Sequence, residues 1–263
     1  MSEPLASKIR PKNLEEFIGQ EHLVGAGKPL RVAIEKKHLF SFVLWGPPGS
    51  GKTTLARIYA KSLNAEFFEL SAVSAGKDDI REILSPGHHV PKKQTLRVWK
   101  QRYVPQHQET PYLALPGVGK QEVILHPKVL LLDEIHRFNK AQQDFLLPYV
   151  ESGELTLIGA TTENPSFEII SPLLSRCRVF VLNPHSEEEM KKIIKRTKLK
   201  MKNNAIDLLV AMADGDGRQA ISVLEATQEL YGTVTIESLK DAVQSKFLRY
   251  DKKGEEHYNI ISA

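Results

Sequence analysis

Several features that define whole classes of proteins are scarce or absent in this sequence. Only one of the 263 residues is a cysteine, Cys177, which excludes an internal disulfide and is typical of a reducing compartment. No apolar run reaches the roughly 18 residues that a transmembrane helix needs. The first residues lack the apolar core of a signal peptide, and no cysteine–histidine spacing fits a zinc site. We therefore expect a protein of the cytoplasm, or of the nucleus if its source is eukaryotic, without contact to a membrane.

A strong charge of either sign is also missing. Lysine and arginine number 36 against 32 aspartates and glutamates, a formal net charge of +4. Such a mild excess permits binding to nucleic acid without demonstrating it. Hydrophobic residues make up 41% and charged residues 26% of the chain, as in an ordinary globular protein. The length is sufficient for one large or two modest domains, each with its own core.

What the sequence does contain is a glycine-rich loop. It fits the pattern G-x-x-x-x-G-K-[ST], and its residues are Gly46, Pro47, Pro48, Gly49, Ser50, Gly51, Lys52 and Thr53. The apolar segment 40–45 before it predicts a buried strand, and the segment 53–63 predicts a helix. Strand, loop and helix in this order are the context in which the pattern binds phosphate. The alternative is a glycine-rich turn whose lysine has no such role.

The residue types in this loop suit a nucleoside triphosphate. Gly49 and Gly51 allow the backbone to curl, so that several N–H groups point at one anion. Lys52 would reach the β- and γ-phosphates, and the Thr53 hydroxyl would hold Mg²⁺. We predict that the loop, together with Thr54, binds ATP or ADP with Mg²⁺.

Two acidic residues follow a second apolar run. Residues 129–132 are four aliphatic residues, a pattern typical of a central strand buried on both faces, and Asp133 and Glu134 come directly after them. Ligands of parallel sheets bind beyond the carboxyl ends of the strands. Asp133 is suited to contact Mg²⁺, and Glu134 to act as the general base that polarises the attacking water. The alternative is a solvated acidic turn after an ordinary strand.

Strand and helix patterns alternate over residues 40–84 and again from residue 129, with a short helix expected at Ile169–Leu174. This predicts an α/β fold with a mostly parallel sheet between helices. From residue 184 the spacing is helical throughout, and Ser186 and Glu189 form a capping-box pattern. We predict a nucleotide-binding domain over 1–183, with an excursion at about 85–128, a small helical domain over 184–246, and the start of a further region at 247–263.

The excursion is rich in proline and basic residues. Arg97, Lys100 and Arg102 alternate with Trp99 and Tyr103, a combination that suits single-stranded DNA, since cations track phosphates while aromatic rings stack on bases. Residues 95–104 and 121–125 have the composition of a β-ribbon. The alternative is a solvated basic loop whose two aromatic residues pack on the protein body.

Taken together, these motifs resemble the AAA+ ATPases. More narrowly, the chain resembles the replication-associated recombination protein family, called Werner helicase-interacting proteins in eukaryotes, whose members are relatives of clamp-loader subunits. The resemblance covers most of residues 5–84 and 129–263. The strings that carry it, besides the phosphate loop, are Asp133-Glu134-Ile135-His136-Arg137-Phe138-Asn139-Lys140, Thr161-Thr162-Glu163-Asn164-Pro165 and Ser175-Arg176-Cys177.

The resemblance implies further roles for single residues. Thr162 would be the sensor that contacts the γ-phosphate or the attacking water. Arg176 would be an arginine finger that reaches a neighbouring subunit's nucleotide, and Arg218 a second sensor in the helical domain. The residues expected to frame the adenine are Arg10, Pro11, Ile18 and Gly19.

The resemblance also implies a function. It is that of a DNA-dependent ATPase in replication-fork maintenance, recombination and repair, which acts on single-stranded, gapped or forked DNA in the nucleoid or nucleus. A single-strand-binding protein or a polymerase would be a partner. Family members form homo-oligomers through a domain beyond the point that matches Ala263. The alternatives are a clamp-loader-type subunit, or a nucleotide-dependent scaffold with little turnover.

Overall fold

The computed structural model describes residues 4–84 and 127–243. Its contacts divide these residues into two compact units. The first comprises 4–21, 46–51 and 182–243, and the second comprises 22–45, 52–84 and 127–181. The basic excursion up to residue 126, with Arg97, Trp99, Lys100, Arg102 and Tyr103, lies outside the described residues, as does 247–263. The domain boundaries expected from the sequence therefore stay a prediction.

A five-stranded parallel sheet forms the centre of the second unit. The strands are β1 (Phe42–Trp45), β2 (Glu66–Ser71), β3 (Lys128–Asp133), β4 (Leu155–Thr161) and β5 (Arg178–Val181), in the order β2-β3-β4-β1-β5. Every described strand pair is parallel. Strand β3 lies inside the sheet and its residues 129–132 are fully buried, as a run of four aliphatic residues predicts. The predicted parallel α/β fold is confirmed.

The helices of the second unit follow the predicted alternation. They are α3 (Pro29–Glu35), α4 (Lys52–Ser62), α5 (Lys77–Leu84), α6 (Lys140–Glu151), α7 (Pro165–Glu168) and α8 (Ser171–Leu174), with a 3₁₀ turn at Ile135–Arg137. Helix α2 (Glu21–Val24) lies where the chain passes from the first unit to the second. Asn139 and Gln142 form a capping box that begins α6.

The prediction of a single helix at Ile169–Leu174 is wrong for its first two residues, because the helix begins at Ser171. Ile169 and Ile170 are extended, with ψ of 133° and 140°, and they separate α7 from α8. Asn164 caps α7, and a proline stands in the first turn of each short helix, where its missing N–H costs nothing. The Ile170 N–H donates to the Gln143 side chain at 2.9 Å instead of to a helical carbonyl. Long-range contacts therefore override the local apolar spacing here.

The described part of the first unit is helical. Its helices are α1 (Leu5–Lys8), α9 (Glu187–Lys195), α10 (Asn203–Ala213) and α11 (Gly217–Tyr231), and residues 236–243 are helical as well. The Ser186–Glu189 capping box predicted from the sequence is present. Met190, Ile194, Leu209 and Leu224 are buried in one core that joins α9, α10 and α11. Among the described residues, no helix is long and apolar enough to cross a membrane.

Candidate nucleotide site

The phosphate loop connects β1 to α4, and its outer side is tightly packed within the first unit. Gly49 and Gly51 have φ of 69° and 96°, a conformation that favours glycine. A Cβ on Gly49 would lie 1.8 Å from Asp216 Oδ1, and one on Gly51 would lie 2.9 Å from the Phe17 ring. Both positions therefore require glycine for their backbone angles and for space. The loop can only offer its other side to an anion.

Side chains on the outer side also bind the loop's carbonyl groups. The Ser50 hydroxyl donates to the Pro47 carbonyl at 2.8 Å, and the Gln20 amide donates to the Ser50 carbonyl at 3.4 Å. In a trans peptide the C=O and the following N–H point in opposite directions. Because the Ser50 carbonyl faces Gln20, the Gly51 N–H is turned towards the inner side of the loop.

Gln20 contacts the phosphate loop, although the sequence analysis assigned it no role in the site. Its side chain is 5% exposed, and besides Ser50 it donates to the Asn183 carbonyl at 2.7 Å and accepts from the Asn183 N–H at 3.0 Å. One buried carboxamide thus binds the phosphate loop to the segment that leads into α9. A single glutamine after Gly19 has no pattern of its own, so only its three-dimensional contacts identify it.

The segment expected to frame an adenine adjoins the same loop within the first unit. Gly19 has φ of 82°, and a Cβ there would lie 3.0 Å from His185 Nδ1. Burial lowers the pKa of His185, an effect that Glu189, the Gly49 backbone and Asp216 partly oppose. Of the other predicted residues, Arg10, Pro11 and Ile18 are half-buried. Their role towards a base stays a prediction.

In the second unit, the other predicted residues of the site lie near the carboxyl ends of the parallel strands. Trp45 at the end of β1 pairs with Thr161 at the end of β4, and Ala160 pairs with Asp133 at the end of β3. The ends of β1 and β3 are therefore two strand spacings apart, about 10 Å. Lys52 is the buried first residue of α4, and Thr53 and Thr54 follow it half-buried.

Glu134 directly follows β3 in a left-handed conformation, with φ 54° and ψ 43°. A non-glycine residue with positive φ is uncommon, and such strain is concentrated at functional sites. Its N–H donates to Asp133 Oδ1 at 3.2 Å, and its carboxylate lies 3.4 Å from Nδ1 of His136. Both acids predicted from the sequence therefore lie side by side, and Glu134 has a second partner, His136, that was not predicted.

That partner connects Glu134 with the end of β4. The same Nδ1 of His136 lies 3.0 Å from the Thr161 hydroxyl, and Thr161 is fully buried. Thr162, the residue expected to be a sensor, follows it directly and is exposed. The Glu-x-His spacing in Glu134-Ile135-His136 is a signal in the sequence that could have indicated His136.

The two predicted arginines have different surroundings. Arg176 forms an ion pair with Glu151 of its own chain at 2.5 Å and donates to the Pro172 carbonyl at 2.7 Å. Arg218 is exposed on the first turn of α11, two residues after Asp216, which caps that helix and packs on Gly49. Arg218 thus lies close in sequence to a residue that contacts the phosphate loop.

The described residues contain no cluster of three or more histidine, cysteine, aspartate or glutamate side chains that would form a metal site by themselves. Mg²⁺ is usually held by one or two protein groups together with substrate phosphates and waters. Thr53 and Asp133 fit this sparse type of site and do not fit a dedicated protein cage.

The fold agrees with comparisons to known proteins. The family model for the ATPase family associated with various cellular activities matches residues 42–185. The chain belongs to this AAA family. A model for the AAA C-terminal domain matches residues 195–263. Helices α10 and α11 therefore belong to the C-terminal part of the AAA architecture that the motifs predicted.

Individual relatives support the narrower resemblance. The replication-associated recombination protein A of Haemophilus influenzae is 36% identical over 99% of this chain and 55% of its own length, and that of Coxiella burnetii is 40% identical over 99% and 56%. The chain thus spans about half the length of these curated relatives. The RuvB Holliday junction branch migration motor of Thermotoga maritima has a TM-score of 0.63 and 26% identity, over 90% of this chain and 72% of its own.

Proposed function

We propose that this AAA chain binds ATP with Mg²⁺ at the loop 46–53 and hydrolyses it. The observation that carries the proposal is the packing of the loop. Its glycines admit no side chain, its Ser50 carbonyl is held on the outer side, and the Gly51 N–H is thereby left for an anion. Backbone N–H groups at the start of a helix form a site for phosphate.

Within this proposal each residue has a defined task. Lys52 neutralises charge on the β- and γ-phosphates, while Thr53 and Asp133 hold Mg²⁺, which supplies further positive charge. Glu134 accepts a proton from the attacking water. Hydrolysis of a phosphoanhydride depends mainly on positioning and on charge stabilisation, so these groups suffice for the chemistry without a covalent intermediate.

Three further residues complete the proposed mechanism. Thr162 contacts the γ-phosphate or the water, Arg218 contacts the nucleotide, and Arg176 acts on the nucleotide of a neighbouring subunit. A guanidinium supplied in trans is worth about 10³–10⁵ in rate in other phosphoryl-transfer enzymes. Arg176 must then leave Glu151, a half-exposed partner whose attraction is weak.

The substrate on which the energy of hydrolysis acts is, we infer, DNA at replication forks. Relatives named for replication-associated recombination support this inference, and one structural neighbour is a branch migration motor. Single-stranded, gapped or forked DNA is the proposed effector, with a single-strand-binding protein or a polymerase as a further partner. Assembly into a homo-oligomer is part of the proposal, because Arg176 acts between subunits.

The experiment that tests the proposal replaces Glu134 with Gln. We expect unchanged binding of a fluorescent ATP analogue and a loss of phosphate release, because the amide keeps the shape of the side chain but cannot accept the proton. Glu163→Gln is the matched control, since Glu163 is an exposed acid near the end of β4. Turnover retained in Glu134→Gln would contradict its role. Nucleotide binding without turnover in the wild type would favour the scaffold instead.

A further inference from the structure

The helical part of the first unit contains a groove of about 860 Å³ away from the phosphate loop. One wall is the segment 198–202 between α9 and α10, and the other is the segment 232–237 after α11. We call it the lysine groove, because Lys198, Lys200 and Lys202 all line it.

The sequence of the first wall explains how these lysines reach solvent. Lys198, Lys200 and Lys202 are exposed, whereas Leu199 and Met201 between them are partly buried and pack against the core of the helical unit. The two apolar residues anchor the segment to the core, and the three lysines between and beside them stay exposed. Lys198 itself has a left-handed backbone, with φ of 58°, but in any conformation two residues separated by one other lie at most about 7 Å apart. The cations are therefore placed in a row along the groove.

The charge of this row is poorly compensated. Neighbouring basic residues have acidic partners: Lys191 pairs with Asp207 at 2.7 Å and Arg196 with Glu16 at 2.8 Å. None of the three groove lysines has an acidic partner within ion-pair distance in the part of the chain that the structure describes.

A single acid, Glu237, occurs in the described lining of the groove. Hydrogen bonds from its own backbone and from Thr235 lower the pKa of Glu237, and the charges of Lys240 and Lys202 add to the effect. The single negative charge of Glu237 is near Lys202 and Lys240. It does not balance the three groove lysines, so the net charge of the groove is positive. A polyanion would relieve the repulsion among these cations.

The rest of the lining restricts the kind of polyanion. The groove has an apolar floor that includes Val234 and Ile236, and hydrogen-bonding groups on Gln228, Thr233 and Asn204. None of its described lining residues is aromatic, so bases would find no ring to stack on. A strand held here would be held by its phosphates, with little dependence on sequence.

We propose that the lysine groove binds the phosphate backbone of a single-stranded nucleic acid. A row of cations within a groove suits one flexible strand better than a rigid duplex, whose wide backbone needs an open surface. The proposal rests on the proposed function in so far as DNA is the effector. It adds the surface that contacts DNA, and that surface shares no residue with the phosphate loop or with the acidic pair after β3.

The experiment compares salt dependence among variants of the full chain. Binding to a fluorescent oligo-dT of about 20 nucleotides is measured by anisotropy between about 50 and 200 mM salt, the range over which phosphate contacts dominate. Each phosphate contact to a single strand contributes about 0.7 to the slope of log K against log salt concentration. The triple variant Lys198→Gln, Lys200→Gln, Lys202→Gln should therefore flatten the slope by about 2.

Two matched variants make the result specific. Lys28→Gln, Lys36→Gln and Lys61→Gln remove the same charge from exposed positions outside the groove and should leave the slope near that of the wild type. Replacing the three groove lysines with arginine keeps the charge and should restore the slope. An unchanged slope in the groove variant, or an equal flattening in the control, overturns the proposal.

The outcome also separates this inference from the function on which it rests. If the wild type binds oligo-dT but the groove variant keeps its slope, only the groove is refuted. If the wild type does not bind oligo-dT at any salt concentration, single-stranded DNA as an effector is refuted together with the groove. Binding of a fluorescent ATP analogue should be the same in all four proteins, which shows that the variants are folded.

Discussion

Replacing Gln20 with Met would test whether the outer side of the phosphate loop controls nucleotide binding. The methionine side chain has nearly the same volume and length but offers no hydrogen bond. It would leave the carbonyls of Ser50 and Asn183 and the N–H of Asn183 without their partner, and of these the contact with Ser50 is buried while those with Asn183 are partly buried. The Ser50–Gly51 peptide would then be free to rotate, and its N–H would no longer be held towards the inner side.

The structure allows an estimate of both consequences. A hydrogen bond to a charged group is worth about 1.5–3 kcal/mol, so loss of the oriented Gly51 N–H should weaken ATP binding by about 10- to 100-fold. Each buried polar group left unsatisfied costs about 1–3 kcal/mol, which predicts a loss of a few kcal/mol in the free energy of unfolding. The rate of hydrolysis at saturating ATP should change much less than the dissociation constant, because Glu134 is untouched.

A second buried glutamine supplies the control. Gln143 is 1% exposed and likewise binds two carbonyls, those of Phe138 and Glu168, and one N–H, that of Ile170, each at 2.9 Å. Gln143→Met should lower stability by a similar amount while ATP affinity, measured by titration of a fluorescent analogue well below the unfolding temperature, stays near the wild type. The reasoning is refuted if both variants weaken binding equally, or if Gln20→Met binds ATP normally.

Three further outcomes follow from single side chains. Burial lowers the pKa of His185 below its usual 6.5, so the unfolded state binds a proton at a higher pH than the folded state. The free energy of unfolding should therefore fall as the pH drops below about 6.5. In urea unfolding, His185→Leu should show a smaller decrease over this pH range. Burial raises the pKa of the Cys177 thiol to about 12, so thiol reagents at pH 8 should modify it much more slowly in the native protein than in denaturant, and equal labelling rates would contradict this. Arg176→Ala should reduce phosphate release by at least about 10³-fold if the arginine acts in trans, whereas Glu151→Gln, which frees it, should raise release by at most about fivefold, the effect of an exposed ion pair.

The regular elements were predictable because local sequence determines them. Four aliphatic residues at 129–132 require burial on both faces, which only an interior strand provides, and the Ser186–Glu189 box defines the start of α9 by its own hydrogen bonds. The phosphate loop was predictable for a related reason. Its glycines are needed for backbone angles and close contacts that no other residue type allows.

The side-chain contacts that hold the loops between these elements could not be predicted, because they join distant parts of the chain. Gln20 contacts residues 30 and 163 positions away, and no pattern in the sequence links them. The extended backbone at Ile169 and Ile170 has the same origin, since the side chain of Gln143 takes the Ile170 N–H. In both places the sequence pattern did not indicate which distant residue would form the hydrogen bond.

The two buried glutamines show how the fold holds loops of the candidate site that have no regular structure. A carboxamide offers two N–H donors and one carbonyl acceptor in a plane, so it can bind three backbone groups that belong to different segments. Gln143 joins the turn after β3, at Phe138, to the connection after β4, at Glu168 and Ile170. Those segments carry Glu134 and Thr162, to which the proposed function assigns the contacts with the attacking water and the γ-phosphate. If this is its role, Gln143→Met should lower the rate of hydrolysis at saturating ATP and leave ATP affinity unchanged, the reverse of the effect expected for Gln20→Met.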